Sequence, residues 1–417
     1  MLAFLYPRAS LAEAGDGAPG SLRVGTSGDY APFSTLDPTG RRAGFDVDLV
    51  RAWAGSRGLR IEWVPFRWPE LAGDLAAGRF DVAVGGITVR PERSAAGRFS
   101  LPLAESGAVV LVPESSGLDL DGLDSPTVRL AVNAGGHLER ATRARFPGAR
   151  VVAVPDNARV LSALAEGACD AVVTDTREAG SWRARWTREQ TGALAQIGPF
   201  TRDRKAWWWR PGALTLAREL DRWLLAQEAA GELARLRARH FGASDARPTA
   251  HPWPALAAAL DERLSLMPAV AAVKRRDGLP IEVPEVEARV IAAGRRSIDR
   301  EAAALGRNPP AAGRSDAVYR AFIEAAKAVQ RATPDETPAT LELDAIRPAL
   351  LRIGDKLAFL LVRLPGPAAP DSEAAMAEAL ARETALGELA PAHARETARA
   401  LHALSDARAG ATPSPRP

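Results

Sequence analysis

Val173-Thr174-Asp175-Thr176-Arg177-Glu178-Ala179 ends an apolar run abruptly and offers two carboxylates three positions apart. Ala171-Val172-Val173 reads as a buried strand and the residues after Asp175 as a turn into a helix, so both acids fall at the strand's carboxyl end. In open α/β sheets that edge is where ligands bind. The same pair also fits a helix start, because Asp175 with Glu178 is close to a capping box. On this stretch alone a capping role and a ligand-binding role are both open.

Working outward, Leu164-Ala-Glu-Gly-Ala-Cys-Asp-Ala-Val-Val173 repeats an earlier stretch, Leu75-Ala-Ala-Gly-Arg-Phe-Asp-Val-Ala-Val84. In each copy a helix ends at glycine (Gly78, Gly167), an aspartate opens a buried strand (Asp81, Asp170), and polar residues follow. Two similar lobes are implied. Strands are expected at Leu22–Ser27, Ile61–Val64, Phe80–Val84 and Val128–Asn133, with a helix opening near Gly44 and another behind Gly135-Gly136. A helix start behind a glycine pair offers backbone N–H groups to an anion. Trp207-Trp208-Trp209 would alternate faces on a strand, which suits core or hinge packing.

The chain has 417 residues, too many for one ordinary core. Its net charge of +3 is spread along the sequence, which suits small anionic ligands better than nucleic acid. Cys169 is the only cysteine and the five histidines have no metal-ligand spacing, so neither an intrachain disulfide, a metal site nor a cofactor is expected. No run approaches the roughly 18 apolar residues of a membrane span.

Beyond Gly242 the pattern changes. Pro248, Pro252 and Pro254 mark a linker, and helical periods follow over Ala255–Lys274, Val283–Leu305, Arg314–Thr333, Leu341–Leu364 and Asp371–Leu404, with a short extended piece at Leu279–Ile281. The expected organisation is an arm or signal remnant at 1–20, a two-lobed α/β domain at 21–242, a linker at 243–254, an all-α domain at 255–405 and a disordered tail at 406–417. Lobe 1 would take about 21–115 and 205–242, and lobe 2 about 125–200.

Gly28-Asp29-Tyr30-Ala31-Pro32-Phe33, Gly44-Phe45-Asp46-Val47-Asp48 and Gly85-Gly86-Ile87-Thr88 with Glu92-Arg93 resemble the amino-acid type of periplasmic solute-binding protein. The resemblance implies the type II binding-protein fold and a periplasmic location. It also implies that Arg93 binds a ligand carboxylate and Asp175 an amino group. Trp63-Val-Pro65 with Trp68-Pro69, Asn133-Ala-Gly-Gly136, Pro155-Asp156-Asn157 and Val173-Thr-Asp175 with Glu178 are similar to cyclohexadienyl dehydratases, which use this fold. That likeness makes Glu178 the catalytic acid and puts Asp29, Tyr30, Trp68, Gly86, Thr88, Asn133, Gly136 and Lys205 against the substrate. It also implies self-association, without an interface legible in the sequence. His137, Leu138 and Val154 depart from the pattern, at places where hydroxyl or other polar side chains are usual.

Glu262-Arg263-Leu264, Met267-Pro268, Val270, Lys274 and Gly278-Leu279-Pro280-Ile281-Glu282 resemble the exported, all-helical chorismate mutases. Arg263 and Lys274 are eleven apart, three turns along one helix face. Carried over by position, Arg263 and Arg347 bind carboxylates, Lys274 and Gln330 the ether oxygen, and Glu287 the substrate hydroxyl. Val286 stands where that family carries an arginine. The expected whole is a bifunctional enzyme taking chorismate to prephenate and prephenate, or L-arogenate, to an aromatic product. The alternative class is an amino-acid receptor with a helical appendage.

Overall fold

The two copies of the Leu-x-x-Gly-x-x-Asp stretch fold alike in the computed structural model, which describes residues 20–190, 192–245, 252–364, 370 and 372–409. In the first copy Arg23 Nε and Nη2 reach the Asp81 carboxylate at 3.3 and 2.8 Å while Nη1 bonds the Gly78 carbonyl at 2.7 Å. In the second, Arg129 makes the same three bonds to Asp170 and Gly167 at 3.1, 2.8 and 3.1 Å. Gly78 and Gly167 have φ of 69° and 70°, the left-handed conformation that ends a helix and that glycine adopts without strain. An arginine on the neighbouring strand thus ties helix end to strand start in both lobes.

The chain divides into two units. The first comprises Met1–Thr88, Pro102–Leu224 and Leu233–Arg247; the second comprises Val89–Leu101, Leu225–Glu232 and Pro248–Pro417. Two pieces of the expected first lobe therefore cluster with the helical half. Most of the expected arm, residues 246–251 of the linker and residues 410–417 of the tail lie outside the described residues.

In the first unit, one sheet sets Arg60–Pro65, Ser21–Thr26 and Val82–Ala83 parallel, with Trp208–Trp209 antiparallel to the last. The other has the order Arg150–Val154, Arg129–Asn133, Ala171–Asp175, Ala108–Pro113, Leu194–Ile197. Its central strands are apolar on both faces. Val109, Leu111, Ala131 and Val172 pack with Trp182 and Trp186 on one side, and Val110, Val112, Leu130, Val132, Ala171 and Val173 with Phe146 on the other. This period of two over a continuous apolar run is what a sheet covered on both sides demands. All three tryptophans of 207–209 are fully buried, and the Trp207 indole donates to Asp46 Oδ1 at 2.8 Å.

The C-terminal part is helical: Trp253–Ser265, Met267–Arg276, Pro284–Ala304, Ala312–Ala332, Leu343–Leu361, Glu373–Glu383, Leu386–Leu389 and Pro391–Ala409. Four expectations are corrected here. The helix expected over 255–274 breaks at Leu266, because Pro268 has no N–H to continue the ladder and sits at the start of the next helix. The expected 371–404 helix is interrupted at Thr384, whose backbone is extended (φ −136°, ψ 166°), and again at Ala390 (φ −156°, ψ 62°), just before Pro391 opens the last helix. Residues Leu279–Ile281 form no strand, and the last helix runs four residues into the expected tail.

Within the second unit the short helix Pro91–Ala96 packs on Leu343–Leu361 and Trp253–Ser265. Arg352 Nη2 donates to the carbonyls of Ser94, Ala95 and Gly97 at 3.0, 3.1 and 3.2 Å, satisfying acceptors a helix end leaves open. Beneath them Glu262 takes Lys356 Nζ at 2.8 Å and Ser94 Oγ at 2.9 Å, with both ionic groups buried. Lys356→Met leaves that carboxylate buried without its cation. It is expected to lower stability by about 3–5 kcal/mol, read as a fall in unfolding temperature, and Glu262→Leu on top of it should recover much of the loss. Among the described residues no helix is long and apolar enough to cross a membrane.

Candidate active site

Strand Ala171–Asp175 leaves its two apolar clusters at Thr174, and from that point its side chains meet polar partners. Thr174 Oγ1 donates to Glu178 Oε2 at 2.7 Å, and Asn157 Nδ2 donates to Glu178 Oε1 at 3.0 Å and to the Asp29 carbonyl at 3.1 Å. Glu178 and Asp175 are both buried. Asp175 Oδ1 accepts the backbone N–H groups of Arg177 and Glu178 at 2.9 and 3.1 Å. Its Oδ2 accepts the Tyr30 hydroxyl in a short bond and faces Lys205 Nζ at 2.9 Å. Lys205 Nζ also donates to Tyr30 Oη at 3.1 Å and Thr88 Oγ1 at 2.9 Å.

The two acids are pushed in opposite directions. Burial is the largest influence on Glu178 and drives its carboxyl well above the usual carboxylate range; the charges of Asp175 and Asp29 act the same way, against the bonds from Thr174 and Asn157. Burial would also raise Asp175, but the Lys205 ammonium, the Tyr30 hydroxyl and the Glu178 N–H together hold it below its ordinary value. The surroundings favour the protonated form of one acid and the ionised form of the other, the pattern that separates a proton donor from a fixed charge. The freely rotating Thr174 hydroxyl can accept as well as donate, so it accommodates a protonated Glu178.

Of the other expected residues, Tyr30 and Lys205 join Asp175, Thr88 joins Lys205, and Trp68 reaches Tyr30 and Asp29. Trp68 Nε1 donates to Asp29 Oδ1 at 3.1 Å and its ring meets Tyr30 edge-on with centroids 5.7 Å apart. Gly86 has φ of 73°, and a Cβ there would stand 2.6 Å from the Tyr30 ring, so glycine lets the phenol lie flat on the backbone. Gly85 and Gly86 both donate to Asp46 Oδ2, at 2.8 and 2.7 Å. Asn133 donates weakly to the Val154 carbonyl at 3.5 Å. Gly136 opens helix His137–Arg145, but the N–H of Gly135 is taken by Glu139 Oε2 at 2.7 Å, so that start is less open to an anion than its sequence suggests. His137 Nε2 lies 2.8 Å from Asp203 Oδ1, which gives this departure from the family pattern a partner. Arg93 is buried on helix Pro91–Ala96 and belongs to the second unit.

Residues 22–243 match the family of bacterial extracellular solute-binding proteins, family 3. The chain belongs to that family. Over 225 residues it is 37% identical to the cyclohexadienyl dehydratase of Pseudomonas aeruginosa, covering 53% of this chain and 82% of that one. An ancestral arginine-binding protein bound to arginine is 26% identical with a TM-score of 0.50, over 54% of this chain and 99% of that one. The crystal structure of an ancestral amino-acid-binding protein, described as a precursor of cyclohexadienyl dehydratase, is 31% identical with a TM-score of 0.49, over 53% and 96%. The fold of the N-terminal half is thus the two-lobed solute-binding fold, and the polar cluster lies at its strand ends as such folds place ligands. Asn157 and Thr174 are the site members that the sequence reading quoted without assigning. Their signal is local: Thr174 is four positions before Glu178, and Asn157 ends the Pro155-Asp156-Asn157 turn.

Outside the solute-binding domain, the helical residues singled out by resemblance fall into distinct settings. Arg263 is half-buried; its Nε makes no hydrogen bond among the described residues, and burial lowers its pKa. Lys274 Nζ donates to the Ile281 carbonyl at 3.0 Å, and burial lowers its pKa against the pull of Glu287. Glu287 meets Lys327 Nζ at 3.2 Å, and Lys327 also meets Glu324 at 2.8 Å. Gln330 is buried with its Nε2 on the Ala326 carbonyl at 3.3 Å, and its Oε1 has no hydrogen-bond partner among the described residues. Arg347 differs: its side chain is 65% exposed and pairs with Asp344 at 3.0 Å, one turn back on the helix. Arg263 and Lys274 stand on two successive helices, so the one-face argument that assumed a single helix does not carry over.

Proposed function

We propose that the solute-binding domain is a dehydratase acting on prephenate and giving phenylpyruvate, water and carbon dioxide. The observation that carries this reading is a buried Glu178, held by Thr174 and Asn157, whose surroundings favour its protonated form, beside an Asp175 whose ion pair with Lys205 favours its ionised form. The Glu178 proton goes to the ring hydroxyl, which leaves as water. The ring carboxylate departs as carbon dioxide, and the electron pair of its bond to the ring completes the aromatic system. The Glu178 carboxylate then regains a proton from water. A preorganised acid of raised pKa is what such a poor leaving group needs near neutral pH. Lys205, in the polar cluster itself, is assigned by resemblance to a substrate carboxylate. Dehydration of L-arogenate to L-phenylalanine is the companion activity implied by the same likeness.

For the helical part we propose chorismate mutase activity. Its support is a set of cationic and amide groups sunk into the helices: among the described residues Arg263 Nε and Gln330 Oε1 make no hydrogen bond, and Lys274 Nζ donates to the Ile281 carbonyl. The rearrangement of chorismate breaks an ether bond toward negative charge on oxygen. Cations that fix a compact conformer and face that oxygen are sufficient, with no covalent step. Arg347 stands at the surface, and Val286 is 42% exposed near the start of its helix. The family's extracellular description agrees with a periplasmic location.

The test of the dehydratase reading is phenylpyruvate formation from prephenate by the purified full chain. An amino-acid receptor, the alternative on the same scaffold, would bind a standard amino acid tightly and leave prephenate unchanged.

A further inference from the structure

Resting on the mutase reading of the helical part, we propose that Lys327 is a positioning residue of that centre, which acts by neutralising Glu287. So balanced, this acid can take a substrate hydroxyl without repelling a dianion and without drawing Lys274 off the ether oxygen. Lys327 is buried on helix Ala312–Ala332, three positions before Gln330 and so on the same face. Its Nζ lies 3.3 and 3.2 Å from the two oxygens of Glu287 on helix Pro284–Ala304, and 2.8 Å from Glu324 of its own helix. Among the described residues no other group bonds the Glu287 carboxylate. Val286 beside it brings no charge, so Lys327 is the cation that balances this acid.

Glu287 acts on both lysines. Burial lowers the Lys274 pKa and the charge of Glu287 opposes it, while Lys274 Nζ holds the Ile281 carbonyl at 3.0 Å. Burial would lower Lys327 as well, but Glu324 and Glu287 hold it above its ordinary value, so it stays an ammonium at neutral pH. Chorismate is a dianion. A partly buried carboxylate facing it without a cation would repel it, and would turn to the ammonium left nearby, that of Lys274. Lys274 would then be spent on Glu287 and withheld from the oxygen that gains charge as the ether bond breaks. With Lys327 in place Glu287 still has room for a hydroxyl, because a carboxylate offers about four lone-pair positions and one ammonium fills at most two of them.

A mere tie between the two helices needs a donor at this place but not a charge, and that difference is testable. Lys327→Gln keeps N–H donors and removes the charge, whereas Lys327→Arg keeps both. Steady-state consumption of chorismate by the full chain is the readout, with the unfolding temperature followed alongside. Lys327→Gln is expected to raise KM at least about tenfold and to lower kcat, and Lys327→Arg to stay within about threefold of the unaltered chain. Adding Glu287→Gln to Lys327→Gln removes the unbalanced charge, so KM should return by at least about fivefold while kcat stays low. A folded Lys327→Gln with unchanged KM and kcat, or a double variant whose KM is no better than the single one's, would overturn the proposal and leave the mutase reading standing. If Lys327→Gln does not fold, Glu287→Gln alone decides: it frees an ammonium beside a dianion, so KM should hold or fall as kcat drops, and a KM raised about tenfold would overturn the proposal. Chorismate left untouched by the unaltered chain would sink the mutase reading and this proposal with it.

Discussion

Glu178→Gln is expected to cut prephenate dehydration by about 10²–10⁴-fold while leaving prephenate binding little changed. Glutamine keeps the shape: its Oε1 can accept from Asn157 and its Nε2 can donate to the Thr174 hydroxyl, in place of the carboxyl bonds at 3.0 and 2.7 Å, but it has no acidic proton to give. Turnover near that of the unaltered chain would remove Glu178 from the acid role. The pH profile gives a second handle. Burial, with Asp175 and Asp29 nearby, raises the Glu178 pKa, and the active form is the protonated one, so kcat should fall as pH rises through that raised value. Asp175 is held below its ordinary value, so its charge, and the Lys205 ion pair with it, is lost only when pH falls through that lowered value. Activity should therefore persist across the window between the two, with the Glu178→Gln variant lacking the alkaline limb.

Lys274→Ala is expected to lower chorismate mutase turnover by about 10²–10³-fold, the scale of removing one preorganised donor from developing negative charge, and to leave prephenate dehydration unchanged. Lys274 also ties the Ile281 carbonyl at 3.0 Å, so part of any loss could come from loosening that loop. Intact dehydratase turnover and an unfolding temperature close to that of the unaltered chain would exclude a general folding defect. Loss of both activities in a folded variant would contradict separate sites. An unchanged mutase rate would take Lys274 out of the reaction.

Local chemistry was legible wherever a few residues decide it. The Gly78/Asp81 and Gly167/Asp170 echo foretold two alike lobes, because a left-handed helix end followed by a buried strand is written in adjacent residues. The ligand edge at Asp175 and Glu178 was readable for the same reason. What the sequence could not show is who satisfies whom across the cleft. Tyr30 and Lys205 reach Asp175 from positions 145 and 30 residues away, so the occupied carboxylate emerges only in three dimensions. Asn157, 21 residues from Glu178, was overlooked on similar grounds. In the helical half the period of apolar residues located helices well, but two of them are interrupted, at Leu266 before Pro268 and at Thr384, by backbone changes that hydrophobic spacing does not register. Arg347 matched a motif by position and stands in solvent, since a helical position fixes a face only once its neighbours are known.

The central claim is that one chain carries both steps, and supplying the purified full chain with chorismate alone while following phenylpyruvate tests it most directly. Phenylpyruvate appearing one for one with chorismate consumed is the expected result. Chorismate left intact by a preparation that converts prephenate would contradict the joint assignment and leave the helical half without a mutase role.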